Sequence, residues 1–502
     1  MNLINYRSIV TKSISIVAYT FLVVLLILVT AFQFSHPQFS YLVPFLILGL
    51  FVFLYQKPFW GILTLIILLP FHAFFLMLIR HYFYLSGSQA FWIAFWKELI
   101  ILLLILVVFL KFLKKKKFPF KIISLDWLII GLTTLGIFSA IFFTKNFSQA
   151  LWGLRTDFQF FLVYFLARSL IKNKSQLKII LGTILATGLL VVLFTILQIY
   201  YWPVDFLLRF GYIKDQWVPN GPLQAYQTAG NLIRYIGTFS GAIQLGPYLA
   251  ILILLSLSLF IFTKSKITKI FLGLFSIVTI FPLYHTFTRS AWLGLLIGFF
   301  ALLAIFFSSL LVKNNKSKYQ VVVSIVLTTI FLLGLGLGIF FLLKIARPEG
   351  SRLIDDLIHH RGTTLEHWEA IKKSLIIIKE KPFGLGIGKT GLAALRFNIR
   401  LLSENWYLQI ATEMGILALM VFIGIMVVFV RLIYGFYLKT KDSFIKALSL
   451  GILVSFICFS VVGLFLHAWG DNTVVALTFW ILAGGLIEYQ GLAMNQNRLK
   501  QV

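Results

Sequence analysis

Long apolar runs, separated by short polar segments, organise this chain from one end to the other. A helix needs about 17–25 predominantly apolar residues to cross a hydrocarbon core of about 30 Å. Such runs recur near residues 14–34, 40–55, 59–78, 91–112, 126–143, 157–171, 178–202, 241–263, 267–285, 290–312, 320–344, 404–430, 445–467 and 472–489, which predicts fourteen spans. The second and sixth are short, so a count of twelve or thirteen stays open. Barrel strands would show alternation rather than long apolar runs, and open sheet edges are not viable in lipid. The expected fold is therefore an all-α polytopic membrane protein.

The polar segments set the orientation. When loops are assigned alternately to two sides, both termini fall together with "KFLKKKKFPFK", "RSLIKNKSQLK", "TKSKITK", "VKNNKSK" and "RLIYGFYLKTKDSFIK". Short loops rich in Lys and Arg stay cytoplasmic. Both termini are then cytoplasmic, which requires an even number of spans. Two larger segments, 202–240 and 345–402, fall on the outer side. Three regions follow: N-terminal spans and the first outer segment (1–230), a core holding the long outer loop (231–434), and C-terminal spans with a cytoplasmic tail (435–502).

The long loop contains "RGTTLEHWEAIKKSLIIIKEKPFGLGIGKTG". Thr363 and Glu366 fit a capping box. Leu365, Trp368, Ile371, Leu375 and Ile378 recur at steps of three and four, the stripe of an amphipathic helix. Pro382 and Gly384 end it. Such a helix suits the outer leaflet, with Lys372, Lys373 and Lys379 near headgroups. The following "GLGIG" lacks the flanking strand and the spacing of a nucleotide-binding turn, and predicts a tight turn instead.

Composition adds limits to this pattern. The chain is 60% hydrophobic and 12% charged, whereas soluble domains carry about 25% charged residues. The net charge of +28 is dispersed between apolar runs, so it encodes topology and gives no reason to expect nucleic acid. The single cysteine, Cys458, lies inside an apolar run and allows neither an internal disulfide nor a cysteine metal site. The first run is too long for a cleaved signal and lacks a small-residue cleavage site, so a retained anchor is expected.

Candidate chemistry gathers on the outer side. Glu404 and Asn405 stand at the mouth of an apolar run, where a partly dehydrated carboxylate can act as a base. The same residues suit a helix start, with Ser403 as N-cap and Glu404 in the first turn. His359, His360 and His367 are alternative bases, and they lack the carboxylate that would complete a metal site. Lys97 and Glu98, inside a span, call for an ion pair. Glu413 calls for a partner within the bundle. The positive long loop suits either an anionic substrate or an anionic lipid surface.

Four segments, "RYIGTFSGAIQLGPYLA", "FTRSAWLGLLIGFF", "HHRGTTLEHWEAI…KPFGLGIG" and "SENWYLQIATEMGILAL", occur in this order over about 230–430. Together they resemble the O-antigen ligase and O-antigen polymerase superfamily of bacterial membrane glycosyltransferases. The resemblance implies a GT-C-like helical fold. It implies a donor glycan carried on undecaprenyl diphosphate at the outer face of the cytoplasmic membrane, a glycan acceptor, surrounding membrane lipids, and no cofactor or metal. By the same resemblance Arg289 and Arg234 are catalytic, stabilising the departing diphosphate, and Arg361 contacts substrate. Ligases have His-Asn or His-Ser where this chain has Glu404-Asn405. That departure leans toward polymerases and makes Glu404 the third catalytic candidate. Asn405, His360, His367 and Tyr407 complete the expected substrate contacts. A ligase remains the alternative within this chemistry. A lipid-linked-glycan flippase is a further one, although the sequence shows no convincing internal repeat.

Overall fold

A computed structural model describes residues 3–214, 221–229, 232–313, 363–399 and 401–499. Arg361, His359, His360 and the expected span 320–344 lie outside the described residues.

The chain folds as helices packed side by side, α1 (Leu3–Ser35), α2 (Leu42–Gln56), α3 (Pro58–Leu68), α4 (His72–Tyr82), α5 (Gly87–Ala94), α6 (Trp96–Lys115), α7 (Ser124–Phe142), α8 (Phe147–Leu170), α9 (Lys174–Tyr200), α10 (Ala242–Phe262), α11 (Lys266–His285), α12 (Arg289–Lys313), α13 (Thr363–Glu380), α14 (Gly391–Leu395), α15 (Trp406–Met414), α16 (Ile416–Lys439), α17 (Ser443–Val462), α18 (Ala468–Asp471) and α19 (Thr473–Leu499). A short hairpin, β1 (Gln227–Ala229) against β2 (Leu232–Arg234), interrupts the helices before α10. Twelve segments among the described residues are long and apolar enough to cross a membrane. They coincide with twelve of the fourteen expected runs.

The expected span 157–171 is part of α8, which is too polar to count by hydropathy yet is built to run through the bundle. Its 24 residues measure about 36 Å at 1.5 Å per residue. Gln149, Asp157, Gln159 and Arg168 are all buried on it, so its polar residues face protein: Gly388, Gln409, Glu98, and Asp126 with Glu488 in turn. The run 404–430 is not one helix either. Gly415, at φ 89°, separates α15 from α16.

The bundle has two ends. One carries the lysine-rich segments, including Lys114–Lys117, Lys172 and Lys174. The other carries the hairpin, α13 to α15, and the link from α17 to α19. Each end contains a buried charge network. At the lysine-rich end, Arg168 pairs with Asp126 and with Glu488 (3.2 Å), Lys172 pairs with Glu488 (2.8 Å), and the Tyr164 hydroxyl donates to Asp126 (2.8 Å). Towards the opposite end, the Lys97–Glu98 pair expected from sequence is present (3.3 Å), and Arg155 from α8 joins it at 2.5 Å.

The "GLGIG" turn is a plug. Leu385 N–H donates to Thr412 O (2.7 Å) and Gly386 N–H to Glu413 O (3.1 Å). Thr144 Oγ1 and Gln149 Nε2 donate to the carbonyls of Ile387 and Gly388, both at 2.9 Å. Gly384, Gly386 and Gly388 all have positive φ, and a Cβ on Gly386 would lie 2.7 Å from Phe143 O. Only glycine fits so close to neighbouring backbone in this conformation. The turn thereby fixes α13 and α14 onto the ends of α7, α8 and α15.

Helix α13 ends where Pro382 and Gly384 predict. Ser374 is its buried inward residue, beside half-buried His367, Ile371 and Ile378, while Leu365, Trp368 and Leu375 are exposed. The expected stripe is thus split. Two of its residues turn toward the protein and three face outward, where a lipid surface would cover them. The side chains of the expected capping box, Thr363 and Glu366, lie outside the described residues.

Candidate active site

The arginine pair is organised by three chain segments that meet at hydrogen bonds. In the hairpin Gln227 stands opposite Arg234. Gln227 Oε1 accepts from Ala242 N–H (3.2 Å) at the start of α10. Arg234 donates through Nε to Thr286 O (2.9 Å) and through Nη2 to Thr288 Oγ1 (3.3 Å), and Thr288 Oγ1 donates to Ala242 O (3.0 Å). Arg289, the next residue, begins α12. Burial holds the Arg234 guanidinium below the usual arginine range, and the neighbouring Arg289 charge pushes the same way. The Arg234 guanidinium is thereby bonded to Thr288, the residue next to Arg289. The arrangement suits a diphosphate, which several N–H donors can bind at once.

Glu404 is held differently from the sequence expectation. The N-cap of α15 is Asn405, whose Oδ1 accepts from Leu408 N–H (3.0 Å), and Ser403 Oγ is buried without a partner among the described residues. Glu404 thus precedes the helix and sits in a left-handed turn at φ 49°. That backbone conformation is costly for a residue with a Cβ, and such strain marks functional turns. His467 Nε2 accepts the Glu404 N–H at 3.1 Å, and His467 Nδ1 faces Asp471 Oδ2 at 3.3 Å. From α13, His367 Nδ1 lies 3.4 Å from Glu404 Oε2. A carboxylate, two imidazoles and a second carboxylate form one chain of polar contacts.

This chain connects to the arginine pair through Asn472, which follows Asp471 and donates from Nδ2 to Gln244 O (2.9 Å) in the first turn of α10. Beneath it, Gln409 Nε2 donates to Asp157 Oδ1 (3.2 Å), and Glu413 Oε1 accepts from Thr390 N–H (2.7 Å) and Oγ1 (2.9 Å). Glu413 so finds the interior partners it was expected to need. Trp406, Trp469 and Trp480, all about 1% exposed, pack with Phe160 below this floor. Rigid aromatic packing of this kind holds polar groups in place.

Among the expected site residues, the structure brings Arg234 beside Arg289 and His367 beside Glu404, at one end of the bundle. Asn405 is engaged as the cap and through Nδ2 with Leu464 O (2.9 Å), and the Tyr407 hydroxyl donates to Ser460 O (2.8 Å). Both side chains fasten the Glu404 turn to the end of α17. Arg361 and His360 lie outside the described residues. Sequence reasoning missed His467, Asp471 and Asn472. Their signal was "HAWGDN", a polar cluster between two apolar runs, hidden because the preceding span was drawn through His467. No group of three or more His, Cys, Asp or Glu among the described residues is placed to hold a metal ion.

Fold and site together define an all-helical polytopic membrane protein with a cationic pair and a histidine-flanked carboxylate at one end. Residues 274–423 match the family model described as O-antigen ligase, which supports the resemblance to the O-antigen ligase and polymerase superfamily. The matched stretch contains Arg289, His367 and Glu404, while Arg234 and the His467–Asp471 pair lie on either side of it. The match supports a role in glycan processing at a membrane. None of the curated proteins compared with it matches.

Proposed function

We propose that this protein is a glycosyltransferase that polymerises lipid-diphosphate-linked oligosaccharide units at the outer face of a bacterial cytoplasmic membrane. The observation that carries this reading is the arginine pair, bonded into the same loop end as a strained, histidine-flanked glutamate. The orientation rests on the lysine-rich end, which the positive-inside rule assigns to the cytoplasm.

The reaction asks two things of the protein. The bond between the donor's anomeric carbon and its phosphate oxygen breaks, and the diphosphate leaves with the electron pair. Arg234 and Arg289 suit the growing negative charge on that leaving group, in a region partly shielded from water. An acceptor hydroxyl attacks the opposite face of the anomeric carbon, inverting it, and gives up its proton. Glu404 is the acceptor of that proton, oriented by His467 through its own amide and flanked by His367. Asp471 holds the His467 ring through Nδ1.

The family model's description favours the ligase as the second reading. Purified protein is incubated with a short glycan on undecaprenyl diphosphate, without nucleotide sugar, and the products are run on a gel. A ladder, lost in Arg289→Ala and reduced about 10²–10⁴-fold in Glu404→Gln, is the expected result. A single shifted band that needs an added acceptor would replace the polymerase with a ligase. No product, with lipid-linked glycan crossing vesicles instead, would overturn the transferase.

A further inference from the structure

A second group of cations, which the reaction above leaves without a part, lies toward the same end of the bundle. Lys97 and Glu98 are near the start of α6, Arg155 is in the third turn of α8, and Arg396 closes α14. A single carboxylate, Glu98, faces Lys97 and Arg155. Glu98 Oε1 accepts from Arg155 Nε (2.7 Å) and Gln159 Nε2 (3.2 Å), with Lys97 Nζ at 3.3 Å; Oε2 is buried with no partner among the described residues. Arg396 has no hydrogen bond or ion pair among the described residues. Its guanidinium lies over the Trp152 ring at 3.9 Å, and Arg155 lies over the same ring at 4.4 Å. Stacking on one indole therefore holds two guanidiniums close together, and the one carboxylate bonded here, Glu98, serves Lys97 and Arg155. Lys97 is buried and Arg396 is exposed, and like charges held this close repel one another unless an anion joins them.

This cluster adjoins an apolar cavity of about 160 Å³, lined by Val24, Leu28, Leu68, His72, Phe75 and Trp96 among others. Trp96 Nε1 donates to His72 Nδ1 (3.0 Å) across its wall. Trp96 directly precedes Lys97, so cavity wall and cation cluster are consecutive residues. Leu28 and Phe75 are both exposed on the outside of the bundle, where the cavity meets the lipid-facing surface. An apolar slot beside an excess of cations fits an amphiphile with an anionic head.

We propose that Lys97, Arg155 and Arg396, with this cavity, form a second lipid-phosphate site in which the cations hold a phosphate or diphosphate head and the cavity holds the first part of an isoprenoid chain. The inference rests on the polymerase reading and deepens it. Polymer growth needs two lipid-linked chains at once, a donor that loses its diphosphate and an acceptor that keeps it. The arginine pair serves the first, and the Lys97 cluster serves the second.

The test counts lipids. Full-length protein in phosphatidylcholine nanodiscs is titrated with farnesyl diphosphate and followed by native mass spectrometry, with inorganic pyrophosphate and farnesol in separate arms. Two bound farnesyl diphosphates are expected. Arg289→Ala should lose one, and Arg396→Ala, an exposed residue with no bonds to break, should lose the other, weakening it about tenfold or more. Leu28→Trp should weaken the Arg396-dependent lipid and leave pyrophosphate unaffected. One equivalent in the unaltered protein, or two in Arg396→Ala, overturns the site. Pyrophosphate binding as tightly as farnesyl diphosphate, with no response to Leu28→Trp, overturns the lipid and leaves a free-phosphate site. Transfer that depends on Arg289 without Arg396-dependent binding sinks this inference alone. Arg396-dependent binding without any transfer sinks the polymerase reading alone.

Discussion

The two buried charge networks of this bundle are built on opposite plans. At the lysine-rich end Asp126 and Glu488 face Arg168 and Lys172, two acids to two bases, with Tyr164 adding a further donor. Towards the other end, among the described residues, Glu98 alone faces Lys97 and Arg155, with Arg396 stacked nearby. A balanced network satisfies itself and needs no ligand. An unbalanced one is poorly satisfied until an anion arrives. On the proposed reading, charge within the bundle divides into parts that hold the fold and parts that take substrate, and the division follows the axis of the bundle.

The largest stability effect should come from breaking the balanced end. Arg168→Ala leaves Asp126 and Glu488 each short of a partner in a buried setting, at a cost of about 3–5 kcal/mol. The expected outcome is a steep fall in the melting temperature of detergent-solubilised protein, or no folded protein at all on size exclusion. An Arg168→Ala variant that melts like the parent would remove the basis of the comparison. Next in size is Gly386→Ala. Its φ of 118° and the 2.7 Å approach to Phe143 O leave no room for a methyl group. A loss of about 1–3 kcal/mol is expected from the backbone strain, read as a lower melting temperature, with activity lost only as far as the long loop detaches.

Arg289→Ala sharpens the contrast from the other side. Here stability should change by less than about 1 kcal/mol, because removing one of two neighbouring cations relieves repulsion while losing local contacts. Transfer from the lipid diphosphate should fall about 10²–10³-fold, the usual cost of one group that stabilises a developing oxyanion. Melting curves and gel assays on the same preparation check both halves.

How far the sequence displayed this division depends on the range of the forces involved. Spans were legible because each apolar run is a local property of 17–25 residues. The glycine turn was legible for the same reason, since "GLGIG" restricts its own backbone. Arg234 and Arg289 were legible only by resemblance, because 54 positions separate Arg234 from Thr288, the residue before Arg289, and periodicity does not reach that far. Span 157–171 misled hydropathy, since Arg155 and Asp157 are paired by helices far along the chain. The cap of α15 was misplaced by two residues. Ser403 is a good N-cap in isolation, but the turn anchored by His467 puts Asn405 in that position instead. His467 itself, 63 residues from Glu404, could be placed only by the fold.

The smallest effect tests whether the strained turn serves function. Glu404 occupies the left-handed region, where a Cβ costs roughly 1 kcal/mol and glycine is at ease. Glu404→Gly keeps the amide that donates to His467 and removes the side chain that faces His367. If the turn exists to present the carboxylate, the variant should melt at or slightly above the parent's temperature, by up to about 1 kcal/mol, while polymer formation disappears. Glu404→Ala separates the terms, since it removes the carboxylate and keeps the strain. It should be inactive and no more stable than the parent. A Glu404→Gly protein less stable than Glu404→Ala would show that the turn is not strained as its φ implies. A fully active one would show that the carboxylate is not the base. The balanced network has no counterpart to this trade, because none of Asp126, Arg168, Lys172 and Glu488 is held in a left-handed backbone.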